Sequence, residues 1–360
     1  MSTARIDRLR DAAERAGLDA VVATNPASIF WLTGFDALAM ERLFAVAVLV
    51  RGDGALVVPL LDEAAASTAS GDALPCVSYD AASDGFPELA DVLGEARRVG
   101  VEEDHLPLSR VLRLQELGVE PRPAGALLGE LRARKDPGEL EAIRRSCARI
   151  TDVMERTFRE LRVGDVERDV NARIAYELAR AGATDSHPLV LFGPNAADPH
   201  GAPGERTLQP GDVVCADISA RIDGYWGDLT RCGTVGPPTD WAQRAWSVVR
   251  DAQAAAIAAC RAGAPARDVD AAQRRIVEAA PELGACLHGA GHAMGVEIHE
   301  PPFLVPRTAA PLEPGHVLTV EPGLYLAGVG GIRLEDDIAV TDGAPDALSS
   351  LPLELRELPA

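Results

Sequence analysis

The sequence predicts two domains, an α/β layered amino-terminal half and an α+β half in which helices flank a curved antiparallel sheet. Three observations carry that expectation. At 360 residues the chain exceeds one ordinary hydrophobic core. Up to about residue 117, helix-like and strand-like segments alternate, as they do when helices are layered on a sheet. Beyond residue 210, two stretches of alternating apolar residues fold back on glycine-containing turns between longer helical segments.

Taken in order, residues 1–17 read as an amphipathic helix closed by Gly17, with no uninterrupted apolar core of a signal peptide. Strands are expected near 20–24, 45–51, 55–59 and 99–102, and helices after Asp62, over 86–97 and over 108–117. The longest apolar run, 43–50, is far too short to cross a bilayer and reads as a buried strand. Two prolines and a glycine in 119–125, and the charged Pro-Gly junction in 132–138, mark a boundary. Residues 1–125 are expected as the first domain, 126–136 as a linker and 137–360 as the second domain. A long helix should open at Pro137 and run to about Leu161, since Asp136 and Glu139 favour its amino terminus. Further helices are expected over 166–181, where Val170, Ile174 and Leu178 recur at fourfold spacing, and over 241–262 and 268–279. Neither an internal repeat nor a low-complexity tail is visible.

A formal net charge of −20 argues against nucleic acid or an anionic membrane as partner, because both reward basic patches. A soluble cytoplasmic protein is expected. With aromatic residues at 4%, Leu, Val and Ala must fill the interior. The six cysteines include no Cys-x-x-Cys pair and read as reduced, packed thiols, although Cys215 and Cys232 should face each other across a hairpin.

That hairpin carries the first chemistry. Alternating residues over 213–231 flank Asp223-Gly224, a two-residue turn that places Asp228 opposite Ser219 and Asp217 one pleat away on the same face. A second antiparallel pair, 317–325 with 331–340, folds about the glycine-rich 327–331 and brings Glu321 opposite Glu335. Four facing buried carboxylates repel and take up protons unless cations neutralise them. Between the two hairpins, glycines around His292 suggest a loop whose backbone approaches something closely, and a neutral ring nitrogen suits Mn, Co, Zn or Fe. Asp217, Asp228, His292, Glu321 and Glu335 thus match the hard oxygen donors and single nitrogen that two adjacent divalent cations require. Singly, each would read as a surface acid or a hydrogen-bonded core histidine.

The segments that hold these residues, with Arg333-Leu334-Glu335-Asp336-Asp337 and His299-Glu300-Pro301, resemble the pita-bread metallopeptidases, and within them the Xaa-Pro dipeptidase (prolidase) and aminopeptidase P branch. Residues 19–35 resemble the opening of the creatinase-like domain that precedes the catalytic domain in that family, and 131–140 resemble its linker and first catalytic helix. The resemblance implies a creatinase-like α/β domain followed by a pita-bread catalytic domain, with Asp217 binding one metal, Asp228 and Glu335 bridging both, and His292 and Glu321 completing the second. It implies hydrolysis of the Xaa-Pro bond, in dipeptides or at the amino terminus of short peptides, by a hydroxide shared between cations about 3.5–4 Å apart. Manganese or cobalt fits the oxygen-rich shell most comfortably. Glu321 is expected to handle a proton as well, and His200 and His299 match histidines that face substrate and steady the tetrahedral intermediate. Arg333 is expected to bind a substrate carboxylate or to hold a metal ligand. Relatives suggest a homodimer.

His105, His187 and His316 read as loop or turn residues, and His288 as supporting. Where the family has Gly-His-Gly, this chain has Gly291-His292-Ala293; a positive φ at 293 would cost alanine on the order of 1 kcal/mol. Three alternatives stay open: a metal-free amidinohydrolase like creatinase, a non-catalytic binding protein on the same scaffold, and a metal-dependent hydrolase or lyase of a non-proline substrate.

Overall fold

The computed structural model describes residues 3–38 and 41–359, and the chain divides into two compact units, one up to Arg132 and one from Ala133 onward. In the first unit, α1 (Thr3–Arg15), β1 (Ala20–Ala23), α2 (Pro26–Thr33), β2 (Ala45–Leu49), β3 (Ala55–Pro59), α3 (Glu63–Ser70), β4 (Cys76–Tyr79), α4 (Phe86–Leu93), β5 (Arg98–Val101), α5 (Leu108–Glu116), β6 (Glu120–Pro123) and α6 (Gly125–Ala133) follow one another. Their strands form one mixed sheet in the order β4-β3-β2-β1-β5-β6. Its core joins Val22, Ala47 and Val57 of the sheet to Leu89 and Leu93 of α4.

Three local outcomes differ from the expectations. The proline-containing stretch taken as a break is β6, which its two prolines permit because it is an edge strand with one face of its backbone unpaired. Residues 126–136 hold most of α6. And α4 stops at Leu93 rather than Arg97, because Gly94 takes φ 56° and its N–H closes on Ala90 O.

The second unit opens with α7 (Pro137–Glu160), whose Asp136 cap accepts from Glu139 N while Glu139 returns the bond, a reciprocal cap that stabilises by about 1 kcal/mol. Next come α8 (Glu167–Arg180), β7 (Ala183–Phe192), β8 (Val213–Ile222), β9 (Tyr225–Val235), α9 (Asp240–Ala259) and α10 (Ala266–Val277). The turn between β8 and β9 is Asp223-Gly224, with φ 52° and 82°, as the dipeptide predicts. After them run β10 (Gly291–Ala293), β11 (Glu300–Leu304), β12 (Val317–Val320), β13 (Gly323–Leu326), β14 (Gly330–Arg333), β15 (Asp336–Ala339), β16 (Asp346–Ala347) and β17 (Arg356–Leu358).

These strands form a four-stranded sheet β17-β9-β8-β7, a five-stranded sheet β11-β10-β12-β15-β16 and the ribbon β13-β14, antiparallel except for β17 on β9. One face of β7-β8-β9 packs on α7 and α8. The approach of α7 is close: a Cβ at Gly227 would lie 2.9 Å from Cys147 N, so glycine is required beside Asp228. Toward one end of the opposite face, Leu191, Cys215 and Cys232 are covered by Ala245, Val249 and Ala252 of α9. The remainder of that face is where the site forms.

Candidate metal centre

The expected register is observed on β8 and β9: Ser219 pairs with Asp228, Asp217 with Thr230, and Cys215 with Cys232 as free buried thiols. Asp217 and Asp228 therefore project from adjacent rows of one face. The second hairpin is more informative than expected. Its outer part pairs Val317 with Ala339 and its inner part Gly323 with Arg333, one register throughout, but the ladder breaks at Glu321-Pro322 and Leu334-Glu335. Pro322 has no N–H to give. Freed from its own hairpin, Glu335 bridges to β9 instead, its N–H reaching Thr230 O at 3.1 Å and its carboxylate accepting from Thr230 Oγ1 at 2.6 Å. The break thus delivers one acid of the second hairpin to the acids of the first.

His292 arrives on a strand, not on the loop its glycines suggested. β10 sits between β11 and β12, and Gly291 takes φ 146° where a Cβ would lie 2.2 Å from Thr319 O. Close approach of backbone, rather than loop flexibility, is what that glycine supplies. Ala293 is not strained: among the described residues Asp223 alone is a non-glycine with positive φ, and the Ala293 methyl is buried in a core cluster with Leu304 and Leu318.

Donor atoms of Asp228, His292 and Glu335 lie within 4.8 Å of one another, all three residues buried. Glu321 joins them, Oε1 3.6 Å from His292 Nε2. Asp217, one row away, is ion-paired at 2.5 Å with Arg333. The His292 Nδ1 lies 3.1 Å from Ala293 O, which assigns the ring proton to Nδ1 and leaves Nε2 as a free donor pair facing the acids.

The electrostatics are those of a site short of positive charge. Burial, then the charges of Asp217, Asp337 and Glu321, pushes the Asp228 carboxyl far above its usual range, and burial followed by Asp228 and Glu321 does the same to Glu335. Burial raises Glu321 to about 7. It also lowers His292 to about 3, helped by His299, so this imidazole is neutral at physiological pH. Asp228 Oδ1 is buried without a hydrogen-bond partner. An orphaned carboxylate oxygen, crowded acids and a neutral imidazole nitrogen are a donor set that fits divalent cations.

The ligand candidates have their own supports. Asp337 Oδ2 accepts from Asp228 N at 2.9 Å and from Cys147 Sγ at 3.1 Å. Buried Arg231 clasps Asp336 and donates to Glu335 O, fixing the segment between them. A chain of hydrogen bonds links Arg333 to the Tyr325 hydroxyl and that to His288 Nε2, each 2.7 Å. His299 sets its ring edge-on against His292, centroids 4.1 Å apart. It stands on a turn secured by Lys135, the only lysine, whose ion pair with Glu300 is 2.8 Å and almost fully buried. His200 is exposed, on a loop whose two ends are tied to buried Glu167 through Phe192 N, the Asn195 side chain and Gly204 N. Charge on His200 would act on His299 and His288.

Comparison with known proteins places this arrangement. The description "Metallopeptidase family M24" fits residues 141–342 and "Creatinase/Prolidase N-terminal domain" fits residues 5–134. The chain belongs to metallopeptidase family M24. A probable dipeptidase PepE of Mycobacterium tuberculosis is 34% identical over 349 residues, 96% of this chain and 93% of that protein. The crystal structure of dipeptidase PepE from Mycobacterium ulcerans matches with TM-score 0.89 and 32% identity, covering 99% of this chain and 98% of that one. An Xaa-Pro dipeptidase from Bacillus anthracis matches with TM-score 0.91 and 30% identity over 99% of both chains. As an M24 metallopeptidase, the protein has the expected architecture, a creatinase-like domain followed by the pita-bread domain.

Sequence reasoning missed several members of this M24 site. Asp337 was reachable, two residues beyond Glu335 and so of the same strand parity. Tyr325, Glu167 and Lys135 leave no local signal, since their partners are distant in sequence. His187 is the plain correction: it lies in β7, paired with Ser219 in the row of Asp228, and not in a loop.

Proposed function

We propose that the protein hydrolyses the Xaa-Pro bond of dipeptides, or of short peptides at their amino terminus, with two divalent cations, manganese foremost. The observation that carries this reading is the cluster of Asp228, His292 and Glu335 around an unpartnered carboxylate oxygen, in a chain similar throughout its length to a named Xaa-Pro dipeptidase. Asp217, Asp228, His292, Glu321 and Glu335 would hold the metal. Bound there, divalent cations supply Lewis acidity at the scissile carbonyl and a nucleophile at neutral pH.

The side chains supply the rest. Glu321, with its carboxyl near neutrality, accepts a proton from the attacking water and passes it to the leaving nitrogen. His299 and His200 approach from the open side and donate to the developing oxyanion. Arg333, anchored by Tyr325, holds Asp217 in place. Proline's tertiary amide lacks an N–H and fixes φ, which defeats ordinary peptidases and favours a dedicated site. A cytoplasmic homodimer completes the reading; light scattering tests the dimer.

Hydrolysis of Gly-Pro, Ala-Pro and Ala-Pro-Ala by manganese-loaded protein, with Ala-Ala as control, tests the substrate. Cleavage of the proline peptides in preference to Ala-Ala is expected. Cleavage of Ala-Ala alone would overturn the substrate and leave an M24 hydrolase of another peptide.

A further inference from the structure

The site face of β7-β8-β9 continues past the metal-ligand candidates. Along β7, His187 and Leu189 share the face of Ser219 and Asp217, their register partners, while Ser186 and Pro188 turn to the helices. Beside the row His187–Ser219–Asp228 stands Trp226, two residues before Asp228 and so on the same face. The His187 and Trp226 rings lie stacked, centroids 5.3 Å apart and planes 22° from parallel. Trp226 is 5% exposed, whereas the side chain of His187 is 61% exposed. What this wall presents is therefore the flat face of an imidazole backed by an indole.

His187 lies two strand spacings from Asp228, about 10 Å across the sheet. It is near enough to His299 for charge on it to act there. The backbone at Trp226 is also joined to the His299 turn, its main-chain N–H donating to Gly295 O at 2.8 Å. The wall is thus continuous with the site on two sides. At its outer edge Asp185 stands 3.9 Å from His187 Nε2, beside the ring rather than in the stack.

We propose that the stacked His187 and Trp226 form the subsite for the side chain on the amino side of the scissile bond, selecting broad or aromatic residues there. This rests on the reading above in one respect, that the amino-terminal residue of the substrate lies against the acids. From that position a side chain of Phe or Leu size runs outward over the imidazole, and a planar face favours another by stacking. Glycine or alanine would not reach it.

The test compares kcat/KM for Phe-Pro and Gly-Pro in the manganese-loaded enzyme, in His187→Ala/Trp226→Leu and in Trp226→Phe. The natural chain should prefer Phe-Pro by about three- to tenfold, the scale of one aromatic stack. That ratio should fall at least about threefold in the double variant and be kept by Trp226→Phe, which retains a ring. A purely structural role would lower both substrates alike, and an unchanged ratio overturns the proposal. If no Xaa-Pro peptide is cleaved, the substrate reading fails, and Phe-Ala against Gly-Ala reads the same ratio. Hydrolysis of neither pair overturns both.

Discussion

Two buried acids, one in each unit, show what distinguishes a structural carboxylate from a functional one. In the amino-terminal unit, Glu102 is 5% exposed and its oxygens accept from Thr24 N at 2.7 Å, Asn25 N at 2.8 Å and Ser28 Oγ at 2.5 Å. It is saturated, and it joins the end of β5 to the start of α2. In the carboxy-terminal unit, Asp228 is 6% exposed, faces other acids and leaves Oδ1 with no partner. Burial alone does not separate them. Unmet demand for positive charge does, and it falls where the M24 chemistry is expected.

The comparison breaks first at the unsaturated acid. Asp228→Ala and Glu335→Ala should abolish peptide hydrolysis and lower bound metal, both measured on purified protein, while metal-free stability is maintained because a buried acid crowded by other acids is gone. Stability should respond in the opposite way at a satisfied pair. Lys135→Met leaves Glu300 buried and uncompensated, and the urea midpoint should drop by an amount equivalent to about 3–5 kcal/mol. Glu102→Gln replaces an acceptor by a donor that faces N–H or O–H donors. It should cost about 1–3 kcal/mol in the same measurement, with hydrolysis per folded molecule retained.

The smallest effect is in pH. In chelated protein, Glu321 and Asp337 titrate near 7, above their unfolded values of 4.5 and 3.8, so the folded state holds protons that the unfolded state has lost, and stability falls as pH rises toward 7. His288 and His292, lowered to about 4 and 3, act oppositely, since the unfolded state binds their protons up to 6.5. Asp228 and Glu335, raised further still, add to the carboxylate set, and the opposing histidine contribution fades above about pH 6.5, so stability in urea unfolding is expected to fall between pH 6.5 and 7.5. Saturating manganese should flatten that slope; a slope equally steep with metal bound would count against metal neutralising these acids.

Much of the site was legible because strand periodicity and a turn dipeptide are local. Asp223-Gly224 set the register of β8 and β9, and with it the common face of Asp217 and Asp228. Opposition of Glu321 and Glu335 followed from the same rule, although the break between them did not. Helix α7 was announced by its cap. By contrast β6 hid behind its prolines, and His187 behind Pro188, because edge position and sheet pairing depend on neighbours far along the chain.

The amino-acid order by itself therefore determined which side chains share a strand face and which acids and imidazole are candidate metal donors. Only the tertiary structure decided that Glu335 leaves its hairpin for Thr230, that Lys135 and Glu167 secure the turns bearing His299 and His200, and that His187 lies flat on Trp226. The physical reason is range. Periodicity, capping and turn preference act within a few residues, whereas saturation of a buried charge and stacking of two rings are settled by whatever the folded backbone brings beside them.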